Sequence, residues 1–186
     1  MIYKYIIISI ILLLIFSCEQ DYVPKPRVYF RIDLPEKEYQ TYSSDYPFTF
    51  EYPVYSKVVD SKKDSCWVNI IYPDFNAIIY LTYKTINNNL PAYFEETRHF
   101  VYKHTIKADA INEYLLPYPE KSVYAILYEI KGNAASSVNF YATDSIDNFL
   151  RGALYFNVTP NKDSLAPVIN YITDDIAHLI ETLEWK

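Results

Sequence analysis

The residues best suited to bind a cation stand close together near the C-terminus: Asp174, Asp175, His178 and Glu181. Spacings of three and four place two carboxylates, an imidazole and a further carboxylate on one helical face, and carboxylate with imidazole is a ligand set for a divalent metal. The same residues opposite an apolar stripe are also the ordinary solvated side of an amphipathic helix. The sequence therefore assigns no metal and keeps the four as candidates only. His104 is expected on the buried stripe of an earlier helix as a hydrogen-bonded core histidine, and His99 off that stripe in solvent. Lys103, Lys107 and Asp109 offer a charged rim for a partner or simply an exposed helix end. Two glycines in the whole chain, Gly132 and Gly152, leave no glycine-rich phosphate loop. G-x-S-x-G, H-E-x-x-H and C-x-x-C are missing from the sequence as well. No catalytic residue and no cofactor is assigned.

A second chemistry is carried by Cys18. Lys4 precedes an almost unbroken apolar run from Tyr5 to Phe16, closed by Ser17 and Cys18 and followed at once by Glu19, Gln20 and Asp21. A charged start, a short apolar middle and a small-residue end form a secretory leader, too short for a spanning helix of ~20 apolar residues. Ile15-Phe16-Ser17-Cys18 resembles a bacterial lipobox, in which the thiol takes a diacylglycerol and cleavage after Ser17 exposes the cysteine. One acyl chain holds a protein only marginally, whereas two or more hold it stably. The expected organisation is a leader over 1–17, a lipidated tether over 18–26 with Pro24 and Pro26, and one globular domain over 27–186. Once Cys18 is acylated, Cys66 is the lone thiol, and its apolar surroundings predict a buried, inert side chain.

The 186 residues carry a formal charge of −6, one unit more negative once Lys4 leaves with the leader. Such a chain lacks the basic footprint of a nucleic-acid binder. Tyrosine is abundant, at 21 residues, which suits strands and half-wet surfaces and leaves open an aromatic surface for sugar or protein.

The elements that must position these residues follow from periodicity. Arg27–Leu34 alternates and predicts a half-buried strand, followed by a polar linker to Tyr46. Phe48, Phe50 and Tyr52 form a second strand ended by Pro53. Cys66–Tyr72 and Ala77–Tyr83 read as a hairpin around Pro73-Asp74-Phe75-Asn76. Asn87-Asn88-Asn89 and Pro91 start a helix whose stripe is Tyr93, Thr97, Phe100, Val101, His104 and Ala108. Strands follow over Ser122–Lys131, around Val138, Phe140 and Ala142, and from Leu150 to Val158. Leu165, Val168, Ile169, Ile172, Ile176, Leu179, Ile180 and Leu183 recur at helical spacing, with Asp163 or Ser164 as the cap. Each such aliphatic contributes ~1.5–3 kcal/mol when buried, so this long helix must pack on the sheet. The order predicts an α+β fold with a central antiparallel sheet of about six strands.

Several stretches together resemble the gliding motility lipoprotein GldD family of the Bacteroidetes: Pro24–Arg27, Phe48–Tyr52, Tyr102–Asp109, Lys131–Ala135, Asn148–Phe156 and Glu181–Lys186. The similarity spans essentially the whole mature chain. Relatives often carry a cysteine just before the Pro-Phe stretch, where Tyr46 stands here, so any bridge to Cys66 is absent. The resemblance implies an envelope lipoprotein needed for gliding and for the linked type IX protein secretion machinery, with no catalytic residues to carry over. Phe48-Thr49-Phe50-Glu51-Tyr52-Pro53 and the element order are also similar to the PsbP-like sandwich, a fold-level likeness that carries no function by itself. The leading expectation is a non-enzymatic binding or assembly factor, lipid-anchored to a membrane and facing the periplasm or the cell surface, whose partners are other envelope proteins of that machinery. A metal-dependent envelope hydrolase acting through Asp174, Asp175, His178 and Glu181, and a carrier for a lipid or other small ligand, are the alternatives.

Overall fold

In the computed structural model the described residues are Tyr3, 32–60 and 67–186. Apart from Tyr3, the expected leader lies outside them, as do Ser17, Cys18, the tether, Cys66 and most of the first expected strand. Two turns of one design organise the sheet. Tyr72-Pro73-Asp74-Phe75-Asn76 and Tyr118-Pro119-Glu120-Lys121-Ser122 each run from a tyrosine that ends a strand through a 3-10 turn opened by proline. Each closes on a left-handed residue, Asn76 at φ 49° and Ser122 at φ 52°. Proline presets the first turn torsion, and Asn tolerates the left-handed region better than most side chains.

These turns join β4 (Trp67–Tyr72) to β5 (Ala77–Thr85) and β6 (Ala108–Tyr118) to β7 (Val123–Gly132). With β3 (Lys57–Asp60), β8 (Ser136–Thr143) and β9 (Asn148–Phe156) they form a seven-stranded antiparallel sheet in the order β3-β4-β5-β9-β8-β7-β6. A second, three-stranded sheet has the order β1-β2-β10, from Tyr39–Tyr42, Phe48–Pro53 and Glu184–Trp185. The α+β class and the antiparallel sheet hold, and the sheet is larger than the six strands expected. β3 and β6 were hidden because edge strands need bury little, so their sequences lack a clean apolar alternation.

Two further expectations are corrected. Residues 32–38 form no strand; Ile32 and Leu34 stay 36% and 39% exposed, and it is the polar linker after them that supplies β1. The first helix, α1 (Leu90–Tyr102), ends before His104, which lies in a 3-10 turn over Lys103–Ile106. Ala108 then starts β6, whose ten-residue register with β7 outweighs continued helix. Pro91 does open α1 as expected.

The sheet buries both faces unequally. Val68, Ile70, Ile79, Leu81, Leu127, Phe140, Leu150 and Leu154 point to one side. There they meet Phe48 and Phe50 of the small sheet and Val168, Ile172, Ile176, Leu179, Ile180 and Leu183 of α2 (Lys162–Thr182). The space between sheet and α2 is thus filled by one contiguous apolar cluster. Gly152 is required there, because a Cβ would stand 2.1 Å from the Phe140 ring. On the other side α1 covers Tyr128, Ile130, Tyr141 and Phe149 and leaves the sheet open on its flanks. The cap of α2 is Asn161, whose side chain accepts from the Ser164 amide at 3.3 Å, rather than Asp163 or Ser164.

Candidate functional site

The four metal candidates on α2 do not share an environment. Asp174 and Glu181 are exposed, His178 is half-buried, and Asp175 is only 2% exposed. The expectation that all four line a solvated face is therefore wrong for Asp175, which falls three residues after Ile172 and four before Leu179, inside the stripe. Among the described residues no group of three or more His, Cys, Asp or Glu is placed to hold a metal ion.

Asp175 is instead held by groups that stabilise its charge. Lys37 Nζ stands 2.5 Å from Oδ1. Tyr39 donates to Oδ1 at 3.0 Å, and the Tyr55 hydroxyl lies 2.9 Å from both oxygens. Charge-assisted bonds of this kind are roughly twice as strong as neutral ones. Lys37 also donates to the Tyr171 carbonyl at 2.6 Å and sits 3.5 Å above the Tyr171 ring. The Tyr171 hydroxyl donates to the Pro35 carbonyl at 2.6 Å. The irregular strap 32–38 is thereby fastened to the middle of α2.

Phenols around that carboxylate are kept neutral. Burial first, then the Asp175 charge, raises Tyr39; burial, the Tyr171 hydroxyl and Asp175 raise Tyr55. Tyr72, fully buried nearby, is pushed up by burial and by Asp175, yet its hydroxyl meets no hydrogen-bond partner among the described residues. One turn further on, His178 Nε2 lies 2.7 Å from Glu51 Oε2, and the Tyr39 ring stacks on the imidazole with centroids 3.7 Å apart. The Glu51 amide donates to Thr182 Oγ1 at 3.0 Å. These contacts join α2 to β1 and β2. The ensemble is a clamp that leaves Asp175 only 2% exposed.

Elsewhere, His99 is exposed as expected, while His104 is half-buried rather than in the core. Burial and the neighbouring Lys103 lower its pKa. Lys103, Lys107 and Asp109 are exposed. The residues that sequence reasoning missed are Lys37 and Tyr39, since nothing in Lys37-Glu38-Tyr39 marks a linker that docks on a distant helix.

Two open surfaces flank α1. Over β6, β7 and β8, Leu115, Pro117, Tyr124 and Ile126 shape an apolar groove of about 230 Å³, with Leu115 75% exposed. Over β4, β5 and β9 a second groove of about 520 Å³ contains Trp67, Tyr80, Tyr155 and Arg151. No helix among the described residues is long and apolar enough to cross a membrane.

The family profile described as gliding motility lipoprotein GldD matches residues 19–185. No curated protein sequence matches the chain. The match runs through the strap, the clamp, both sheets and both helices, so the chain belongs to the gliding motility lipoprotein GldD family and is a membrane-anchored envelope protein associated with gliding.

Proposed function

We propose that this lipoprotein is a non-enzymatic assembly factor, tethered through acylated Cys18, which binds protein components of the gliding apparatus and the linked type IX secretion machinery. The observation that carries the proposal is the β6 edge. It runs 11 residues, Ala108–Tyr118, and its outer side is unpaired among the described residues. Long open edges are templates for strand addition by another chain, and natural proteins usually blunt them. Here the edge carries exposed Leu115 beside the apolar groove and exposed Tyr114 on the opposite face, and the groove supplies side-chain pockets next to main-chain groups that are unpaired among the described residues.

Tethering concentrates such an edge near membrane-bound partners. The clamp around Asp175 supports a structural role for that carboxylate. The test combines two variants in cells. Tyr114→Lys/Leu115→Lys blunts the edge at exposed positions and should abolish spreading and secretion with protein levels unchanged; Cys18→Ala should release the domain from membranes. Normal spreading by the edge variant, or membrane fractionation and motility by Cys18→Ala, would overturn the proposal.

A further inference from the structure

The groove over β4, β5 and β9 combines stacking surfaces with a cation in an otherwise acidic protein. Its floor is set by strand register. Trp67 pairs with Thr82, and Thr82 with Arg151, so these three form one row across the sheet. Asn69 and Tyr80 form the next row. With strands ~4.8 Å apart, the Trp67 and Arg151 backbones lie ~10 Å apart, a separation suited to adjacent rings of an oligosaccharide. Trp67 is 52% and Tyr80 43% exposed, and Tyr155 meets Tyr80 edge-on with centroids 5.7 Å apart, bracing its ring.

Arg151 is the cation left to recognise a ligand. Lys84 is engaged by Glu96 at 2.5 Å. The Arg151 guanidinium lies 4.2 Å from the Phe100 ring centroid; Glu96, which also lines the groove, acts on it through its charge but is itself paired with Lys84, and no hydrogen bond or close ion pair ties Arg151 to an acid among the described residues. Phe100 thus orients the planar fork, and a guanidinium fork matches a carboxylate bidentately. The backbone groups of β4, β5 and β9 are already paired with one another. An extended peptide would find no main-chain partner on this face, whereas a sugar needs only side chains: rings to stack on and Asn69, Thr82 and Arg151 to bond its oxygens.

We propose that this groove binds an acidic saccharide, its carboxylate on Arg151 and a neighbouring sugar ring on Trp67 or Tyr80. The surface is separate from the β6 edge, so its failure would leave the assembly proposal untouched. Calorimetric titration of the intact detergent-solubilised protein with trigalacturonate, its methyl ester and triglutamate tests it, with Trp67 emission followed in a Trp185→Phe background. The acid should bind about tenfold or more tighter than the ester. Arg151→Lys should weaken the acid while leaving the ester unchanged, and Trp67→Ala should weaken both, each variant retaining the parent melting curve. Equal affinity for acid and ester, no binding of either, an unaffected Arg151→Lys protein, or triglutamate binding as tightly as trigalacturonate would overturn it, the last in favour of a peptide ligand.

Discussion

Replacing Lys37 by Met tests whether the strap is fastened through charge. Asp175 is 1% exposed at its side chain and Lys37 29%, so the substitution leaves a carboxylate deep in the fold with two phenols for company. Removing one partner of a fully buried pair costs ~3–5 kcal/mol. The partial exposure of Lys37, and the bonds retained from Tyr39 and Tyr55, bring the expected loss to ~2–3 kcal/mol, including the cation–π contact with Tyr171. Urea unfolding of the Cys18→Ala form should show the midpoint falling with the slope unchanged. For a domain of this size the melting temperature should drop by roughly 5–10 °C. Asp175→Asn alone should also destabilise, but the double variant should cost less than the two single losses together, because neutralising the carboxylate removes the penalty of stranding it. A Lys37→Met protein within ~0.5 kcal/mol of the parent would refute the reasoning and reduce the contact to a surface ion pair.

Three further perturbations test other parts of the structure. Asp144 shapes the β8–β9 turn: its Oδ1 accepts the amides of Ile146, Asp147 and Asn148, each at 2.9 Å, and Oδ2 accepts the Asn148 side chain at 2.6 Å. Burial alone would raise its pKa, but these donors outweigh it and hold the group below the ordinary carboxylate value. Its contribution is therefore present above the unfolded pKa of ~3.9 and lost as pH falls through the lower folded value. Asp144→Asn should cost ~1–3 kcal/mol at pH 7, with the difference from the parent shrinking in unfolding curves below pH ~4. Gly152→Ala drives a methyl into Phe140 and should cost ~1–3 kcal/mol or more by the same assay. Glu51→Gln, by contrast, alters a partly exposed pair with His178 and should change stability by less than ~1 kcal/mol.

The sequence made α2 legible because a helix that buries one side writes a 3.6-residue period. The same period contained the missed fact: Asp175 lies in phase with Ile172 and Leu179, and an acid in phase with a buried stripe must be paired. Its partners were not legible, since Lys37 and Tyr39 lie more than 130 residues away in a stretch without period or motif. Hairpin β4–β5 could be read from Pro73-Asp74-Phe75-Asn76 and the alternating strands around it. β6 could not, because Ala108 continues the helical phase of α1 and an open edge imposes no apolar alternation on Asp109–Tyr118. The groove was foreshadowed only as an excess of tyrosine. Its rows arise from pairing of β4 with β5 and of β5 with the distant β9, which residue types alone do not encode. The expectation for Cys18 needs no fold at all, because it rests on the 17 residues before it.

If a lipid holds this domain among partners that dock on its β6 edge, those partners lie within reach of Leu115. The most direct measurement places a photo-crosslinking amino acid at Leu115 in the otherwise unaltered lipoprotein, irradiates spreading cells, and identifies the adduct by mass spectrometry. The expected result is a discrete adduct with an envelope protein of the gliding or secretion machinery, lost when Cys18→Ala frees the domain. Motile cells in which position 115 captures nothing, or captures the same protein after the lipid site is removed, would contradict it.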